Sequence, residues 1–213
     1  MKEELISYWK TYGVIRDKDV LQAFKDVPRE NFVPEKFADQ AYIDSPLPIA
    51  GGQTISQPST VMVMTEELKV KTGQKILEVG TGSGYQAAIL SKLVGSKGKV
   101  VSTEIVLELV DFARKNLERS GIENVEVIEH DGSLGYEKEA PYDRIIITAA
   151  CPKIPEPLIK QLKNGGILLG PVGSILRGQE MIRITKKDDE LKEEILGEFL
   201  FVPLRGKHGF KEK

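Results

Sequence analysis

Apolar residues along this chain follow two rhythms. Up to residue 26 they recur at helical spacing: Leu5, Ile6 and Trp9, then Val20, Leu21 and Phe24, which predicts helices over 2–12 and 17–26. Pro28, Pro34, Pro46 and Pro48 then punctuate an irregular stretch that runs to Gly52. A further helix through residue 68 starts near Pro58, with Ser56 or Ser59 as its expected cap. From residue 74 short apolar runs take over, at 75–79, 99–103, 125–129, 142–148 and 166–170. Amphipathic segments separate them, at 85–93, 106–120 and 155–162. In the second of these, Leu109, Phe112, Ala113, Asn116 and Leu117 repeat every three or four residues.

Strand and helix alternating in this way predict an α/β fold: a doubly wound, mostly parallel sheet covered on both faces, with ligands outside the carboxyl ends of the strands. Residues 181–185 and 198–203 read as two more strands that close one edge in antiparallel fashion, with 186–190 as the polar turn between them. About seven strands result. No internal repeat or low-complexity linker interrupts the chain. The expected organisation is one domain, in which an N-terminal extension and substrate loop (1–58) precede a Rossmann-like core (59–213).

Composition narrows the class. The chain has 213 residues, 40% hydrophobic and 29% charged, with a net charge of −2. Its basic clusters are short; Lys186-Lys187 is followed at once by Asp188-Asp189-Glu190, and no basic face for nucleic acid is expected. No apolar run reaches the roughly 18–20 residues of a membrane span. The acidic start, Met1-Lys2-Glu3-Glu4-Leu5, lacks a signal core, so a cytoplasmic protein is expected. Cys151 is the single cysteine, which excludes an internal disulfide and a cysteine-rich metal site. Abundant Lys and Glu with only four Asn lean towards a thermophile.

Three successive strands end in chemistry on one rim. The first runs Ile76-Leu77-Glu78-Val79 into Gly80-Thr81-Gly82-Ser83-Gly84-Tyr85. Glycines there permit a tight turn and close backbone approach to a ligand, and the following helix offers free N–H groups. Glu78, at the strand end, suits a cationic amino group. Glu104 ends the second strand, where a carboxylate can take both hydroxyls of a ribose. Asp131-Gly132 follows the third, with Asp131 placed to accept from an adenine amino group and Gly132 to let backbone approach the ring. A nicotinamide reading survives on spacing, since Gly82-Ser83-Gly84-Tyr85-Gln86-Ala87 fits G-x-G-x-x-A. Against it stand Glu78 and, in the register starting at Gly80, the bulky Tyr85 where a third glycine would fall.

The run 76–85 resembles motif I of class I S-adenosylmethionine-dependent methyltransferases. Pro141-Tyr142-Asp143-Arg144-Ile145-Ile146-Ile147-Thr148 is similar to their second motif, and Leu162-Lys163-Asn164-Gly165-Gly166-Ile167-Leu168 to their third. Within that superfamily, Gly52-Gln53-Thr54-Ile55-Ser56-Gln57-Pro58 with Met62 and Met64-Thr65 resembles the signature of the protein-L-isoaspartate (D-aspartate) O-methyltransferases. The likeness extends to residues 27–34, 41–49 and 197–206. It implies S-adenosylmethionine as cofactor, held by Glu78, Gly80, Thr81, Gly82, Gly84, Glu104, Ile105, Asp131, Gly132 and Thr148. It implies Ser56 as the catalytic residue, and a substrate site of Thr54, Ile55, Ser56, Gln57, Pro203 and Leu204, the last two forming an apolar lid.

The implied reaction suits what the chain has and lacks. An isoaspartyl site carries a free α-carboxylate that is already ionised at neutral pH, so attack on a methyl group needs no general base. The chain has only His130 and His208. Placement and exclusion of water are what remain to be supplied. Ser56 is expected to orient the carboxylate by donating its hydroxyl, helped by backbone of 54–57. The methyl ester would lead through a succinimide towards normal aspartate. Expected partners are isoaspartyl peptides and damaged, partly unfolded proteins, met by a monomer without metal, nucleic acid or membrane.

Rival readings stay open at this level. A nucleic-acid amine methyltransferase would carry an Asn/Asp-Pro-Pro-aromatic stretch where the chain has Thr148-Ala149-Ala150-Cys151-Pro152. Cys151-Pro152 allows a cytosine-type thiol, although a packed, inert cysteine is the simpler expectation. A small-molecule carboxyl methyltransferase and a catalytically silent cofactor-binding module complete the set. Asn164-Gly165 stands apart as the dipeptide most prone to isoaspartate formation, expected to be protected by a structured turn.

Overall fold

The computed structural model describes residues 1–174, 176, 178–188 and 190–211; of the expected edge turn, Asp189 lies outside the described residues. Helices α1 (Lys2–Tyr12) and α2 (Lys18–Asp26) form where the apolar spacing predicts. Gly13 ends α1 at φ 63, and Asp17 caps α2 by accepting from the N–H groups of Asp19 and Val20. Their apolar stripes are buried, with Trp9 and Phe24 ring centroids 4.7 Å apart. The proline-rich stretch folds into 3-10 turns and a two-residue hairpin, β1 (Leu47–Pro48) against β2 (Thr54–Ile55).

Helix α3 (Pro58–Leu68) has no serine cap. Gln57 holds the cap position without a side-chain bond. Asp44, from the irregular stretch, reaches across instead: Oδ1 accepts from the Ser59 N–H at 2.8 Å and Oδ2 from the Ser59 hydroxyl at 2.6 Å. The same hydroxyl accepts from Trp9 Nε1–H at 2.7 Å, which ties α1 to the head of α3. Sequence proximity suggests a local cap, and tertiary contact supplies a remote one. At the other end, Arg144 donates to the carbonyls of Leu68 and Lys69, satisfying acceptors that the helix leaves open.

The core then alternates β3 (Lys75–Val79), α4 (Tyr85–Val94), β4 (Lys99–Glu104), α5 (Leu107–Arg119), β5 (Val125–Glu129), β6 (Tyr142–Ile147), α6 (Glu156–Gln161), β7 (Leu162–Ser174), β8 (Gly178–Lys187) and β9 (Glu190–Glu198). The sheet order is β5-β4-β3-β6-β7-β8-β9. Strands β5 to β7 along that order are parallel, and β8 and β9 are antiparallel. Side chains alternate between two dry faces. Leu77, Val79, Ile145 and Ile147 meet Leu158 of α6, while Ile76 and Ile146 meet α3 and α4 through Met64, Leu68, Ala87 and Leu90. The N-terminal helices pack over α4 and share a core with it, so α4 is buried almost all round. The chain moves outward from β3 to β4 and β5, then returns to β6 on the other side of β3. That reversal leaves a crevice at the carboxyl ends of β3 and β6.

One expected strand is corrected. Residues 198–203 are not the last strand; β9 spans Glu190–Glu198, and the chain beyond Glu198 leaves the sheet. β9 is an exposed edge with Glu and Lys at most positions and Ile195 63% exposed, so it carries no apolar run to read. The apolar stretch 199–204 is apolar for another reason: Phe201 and Leu204 are buried beside the crevice.

Replacing Asp44 by Ala removes the remote cap. A loss of about 1 kcal/mol is expected, read in a melting experiment as a fall of about 2–4 °C.

Candidate active site

The first glycine turn passes between the ends of two neighbouring strands. Gly80 N–H and Thr81 N–H both donate to the Thr103 carbonyl of β4, at 2.9 and 3.2 Å. On the other side Thr148, just past β6, donates its N–H to Val79 O and its hydroxyl to Gly80 O. A Cβ on Gly80 would lie 2.5 Å from Thr148 Oγ1, and φ there is +96. Only glycine fits. Gly84 serves differently: it starts α4 at φ +86 with its α-carbon facing Ala113 and Leu117 of α5.

Beneath the turn lies Glu78, with no exposed surface. Ser102 donates its hydroxyl to Oε2, and Thr81 and Ser102 hydroxyls are 2.6 Å apart. With Ser102 donating to the carboxyl, Thr81 must donate to Ser102. Oε1 has no partner among the described residues. Burial pushes this carboxyl up to about 8, assisted by the charge of Glu104 and opposed by the Ser102 bond. An orphaned acceptor of this kind, lining the crevice, is what a cationic donor would satisfy. Glu104 is engaged already: Oε2 accepts from Gly82 N–H at 3.0 Å, and Oε1 from the N–H groups of Ile105 and Val106 at 2.9 and 3.0 Å. A carboxylate offers about four acceptor directions, so what stays open suits one hydroxyl more readily than two.

The crevice brings most of the expected residues together. Thr54, Ile55, Ser56, Glu78, Gly80, Thr81, Gly82, Glu104, Ile105, Gly132, Thr148, Pro203 and Leu204 all line it. Three do not. Gly84 faces α5, and Gln57 heads α3. Asp131 turns away, accepting from Ser133 N–H and hydroxyl and, at 2.8 Å, from Lys207 N–H. The strand ends require glycine at Gly132, since a Cβ there would meet Thr103 Oγ1 at 2.5 Å and Val79 Cγ1 at 2.7 Å.

On the opposite wall Ser56 follows β2. Its hydroxyl takes no partner among the described residues, and it does not cap α3. Its carbonyl accepts from Arg29 Nη2–H at 2.8 Å. Arg29 is wholly buried, donates Nε–H to Ala41 O at 2.7 Å and stacks over Tyr85 at 4.9 Å. It forms no ion pair among the described residues, and its Nη1 and the Tyr85 hydroxyl lack partners. The guanidinium thus fixes the Ser56 backbone from behind. The chain 201–205 closes the top: Ala150 N–H donates to Val202 O and Leu204 N–H to Ala150 O. Buried Gln179 clamps Phe201 through both its N–H and its carbonyl. Arg29, Ser102 and Gln179 had no role in the sequence reading. Polar residues inside buried segments read as surface when only pattern is available.

Cys151 is buried beside Pro171 O, and burial pushes its thiol up to about 12. It is no nucleophile. His130 packs against Tyr136, and neither His130 nor His208 lines the crevice.

A seven-stranded sheet whose glycine turn closes the first central strand, with a carboxyl group buried beneath it, is the architecture of the S-adenosylmethionine-dependent methyltransferases. The comparisons with known proteins go further. The model of the protein-L-isoaspartate(D-aspartate) O-methyltransferase family matches residues 1–209, and the chain belongs to that family. A protein-L-isoaspartate O-methyltransferase of Methanopyrus kandleri is 48% identical over 213 residues, covering 99% of this chain and 94% of the relative. One of Pyrococcus abyssi is 50% identical over 201 residues, covering 94% and 92%. A solved protein-L-isoaspartate O-methyltransferase superposes with a TM-score of 0.87 at 35% identity, over 98% of this chain and 67% of that one. A candidate member from Plasmodium falciparum, solved in complex with S-adenosyl-L-homocysteine, gives 0.84 at 27% identity, over 95% and 97%.

Glu78 makes stability depend on pH. Its carboxyl is raised from the ordinary 4.5 to about 8 in the fold, so the folded state holds a proton that the unfolded chain gives up. That stabilisation is fully present below pH 4.5, and is lost as pH rises towards 8. The ligand-free protein should melt several degrees lower at the upper end of this window than at its middle, and Glu78→Gln should flatten that slope. An equal slope in the variant would assign it elsewhere.

Proposed function

We propose that this chain transfers a methyl group from S-adenosylmethionine to the free α-carboxylate of L-isoaspartyl residues in damaged or partly unfolded proteins and peptides. The observation that carries the reading is one crevice shared by the Glu78 carboxyl, whose Oε1 has no partner among the described residues, and the Ser56 hydroxyl, which takes none among them. The residues present fit the cofactor. Glu78 would take its ammonium group, the backbone of 80–82 would lie along it, Glu104 and Ile105 would meet the ribose, and Gly132 and Thr148 would complete the wall. Bound there, the cofactor supplies an electrophilic sulfonium methyl.

The chain's own part is binding, orientation and drying. The Ser56 hydroxyl donates to one oxygen of the substrate carboxylate and leaves the other to react. Thr54, Ile55 and Gln57 offer backbone beside it, braced by the β1–β2 hairpin and by Arg29. Pro203 and Leu204, held by the Ala150 and Gln179 bonds, cover the substrate backbone. No proton needs to be taken, because the carboxylate is ionised well below neutral pH, and the crevice lacks a histidine in keeping with that. The ester formed is activated for closure to a succinimide and so for return towards aspartate. The reading includes a monomer in the cytoplasm that binds no nucleic acid, supported by the net charge of −2. It also divides the single domain into a substrate-facing 1–58 and a cofactor-binding 59–213.

The test uses labelled S-adenosylmethionine and two synthetic peptides that differ only in isoaspartate or aspartate at one position. The isoaspartyl peptide alone should gain a base-labile methyl ester. Transfer to neither, with cofactor bound, would sink the assignment, and transfer to free small acids or to nucleic acid would replace it.

Ser56→Ala removes one hydrogen bond to a charged group, so turnover should fall about 10- to 100-fold while cofactor affinity stays within about twofold. Full activity in the variant would overturn the role given to Ser56.

A further inference from the structure

Asn164-Gly165 lies where the sheet lets go of the chain. Tyr142 of β6 pairs with Leu162 of β7, and the next pair is Arg144 with Ile167. Residues 163–166 therefore bulge out of that ladder, and pairing of β7 with β8 begins only at Ile167. Asn164 and Gly165 are exposed. Gly165 sits at φ +76 with no atom within 4 Å of where a Cβ would be. Backbone pairing thus gives this dipeptide no protection.

What holds it is Asp188, in the turn after β8. Asn164 Nδ2–H donates to Asp188 Oδ1 at 2.8 Å, and Asp188 N–H donates to Asn164 Oδ1 at 2.8 Å. Both polar atoms of the carboxamide are engaged by one residue.

We propose that Asn164 is a latent deamidation site of this protein and that Asp188 guards it by fixing the Asn164 carboxamide. In the reaction the Gly165 nitrogen, losing its proton, bonds to Asn164 Cγ, and the Cγ–Nδ2 bond breaks with nitrogen leaving as ammonia. The resulting succinimide is opened by water at either carbonyl, giving aspartyl or isoaspartyl 164. Glycine at 165 puts no side chain in the way of the attacking nitrogen. For attack, the carboxamide must swing so that Cγ lies over that nitrogen, and the bonds to Asp188 must break first. The isoaspartyl product inserts an extra backbone atom at the head of β7. The far end of that strand bonds to Cys151 through Pro171 O and Gly173 N–H, next to the chain that closes the crevice.

The experiment ages wild type, Asp188→Gly and Asp188→Asn side by side in mildly alkaline buffer, with the free peptide Leu-Lys-Asn-Gly-Gly as the unguarded reference. Peptide mapping reads conversion at each of the four asparagines, Asn31, Asn116, Asn124 and Asn164. Glycine accepts φ +54 of position 188, so the turn persists while the side-chain acceptor is lost. Asp188→Gly should deamidate at 164 about tenfold faster than wild type, and Asp188→Asn, which keeps an acceptor oxygen, should stay close to wild type. Equal rates in wild type and Asp188→Gly would overturn the guard. So would wild type converting as fast as the peptide, or acceleration at all four asparagines alike, which would assign the protection to the fold as a whole.

Discussion

The passage of the β3 turn between β4 and β6 is the constraint on which the rest of the site depends. Two backbone donors must reach one carbonyl, Thr103 O, while Thr148 presses from the other side and leaves no room for a Cβ at Gly80. That packing is possible only when the three strands end level, and level ends follow from the parallel register Val79↔Thr103 and Val79↔Ile147. Once the turn is seated, Gly82 N–H meets Glu104, Thr81 meets Ser102, and the head of α4 lines the crevice through Tyr85 and Gln86. A slip of one residue in any of these strands would turn its side chains to the opposite face and dissolve the arrangement.

Among the buried ionisable groups at the crevice, the fold treats Glu78 and Arg29 differently. Glu78 escapes most of the cost of burial by holding a proton, so it stays neutral until a cation arrives. Arg29 has no such escape, because a guanidinium keeps its charge. Burial lowers its pKa without neutralising it, and it settles for two carbonyls and the face of Tyr85. A charge kept in the interior with no acid bonded to it among the described residues is an expensive brace. Its position directly behind Ser56 braces the segment around the β1–β2 hairpin, only two residues of strand on either side.

The far end of the chain completes the enclosure. β8 and β9 extend the sheet but do not touch the crevice; their service is to carry Gln179, whose amide captures Phe201 from both sides. The segment after Phe201 then bonds to Ala150, and Asp131 anchors it further along through Lys207. An acid at the end of the third strand therefore holds the closing segment in place, next to a crevice that it does not itself line.

Sequence by itself determined the architecture here. The change from helical to strand periodicity after residue 74, the glycine turn after β3 and the acids ending β3 and β4 are local features, and local sterics and hydrogen bonding interpret them without help. The Thr54-Ile55-Ser56 loop with its counterpart at 201–204 pointed to the family by resemblance, not by local sterics. Only tertiary structure decided which atoms are free. Whether Ser56 caps α3 depended on Asp44 arriving from the irregular stretch, and whether Asp131 faces ligand depended on Lys207 arriving from the tail. The last strand escaped the reading because β9 is a solvated edge with no apolar signature, while the apolar segment beyond it fills a cavity rather than a ladder. A side chain's type is written in the chain, but its hydrogen-bond partner is set by whichever distant segment packs against it.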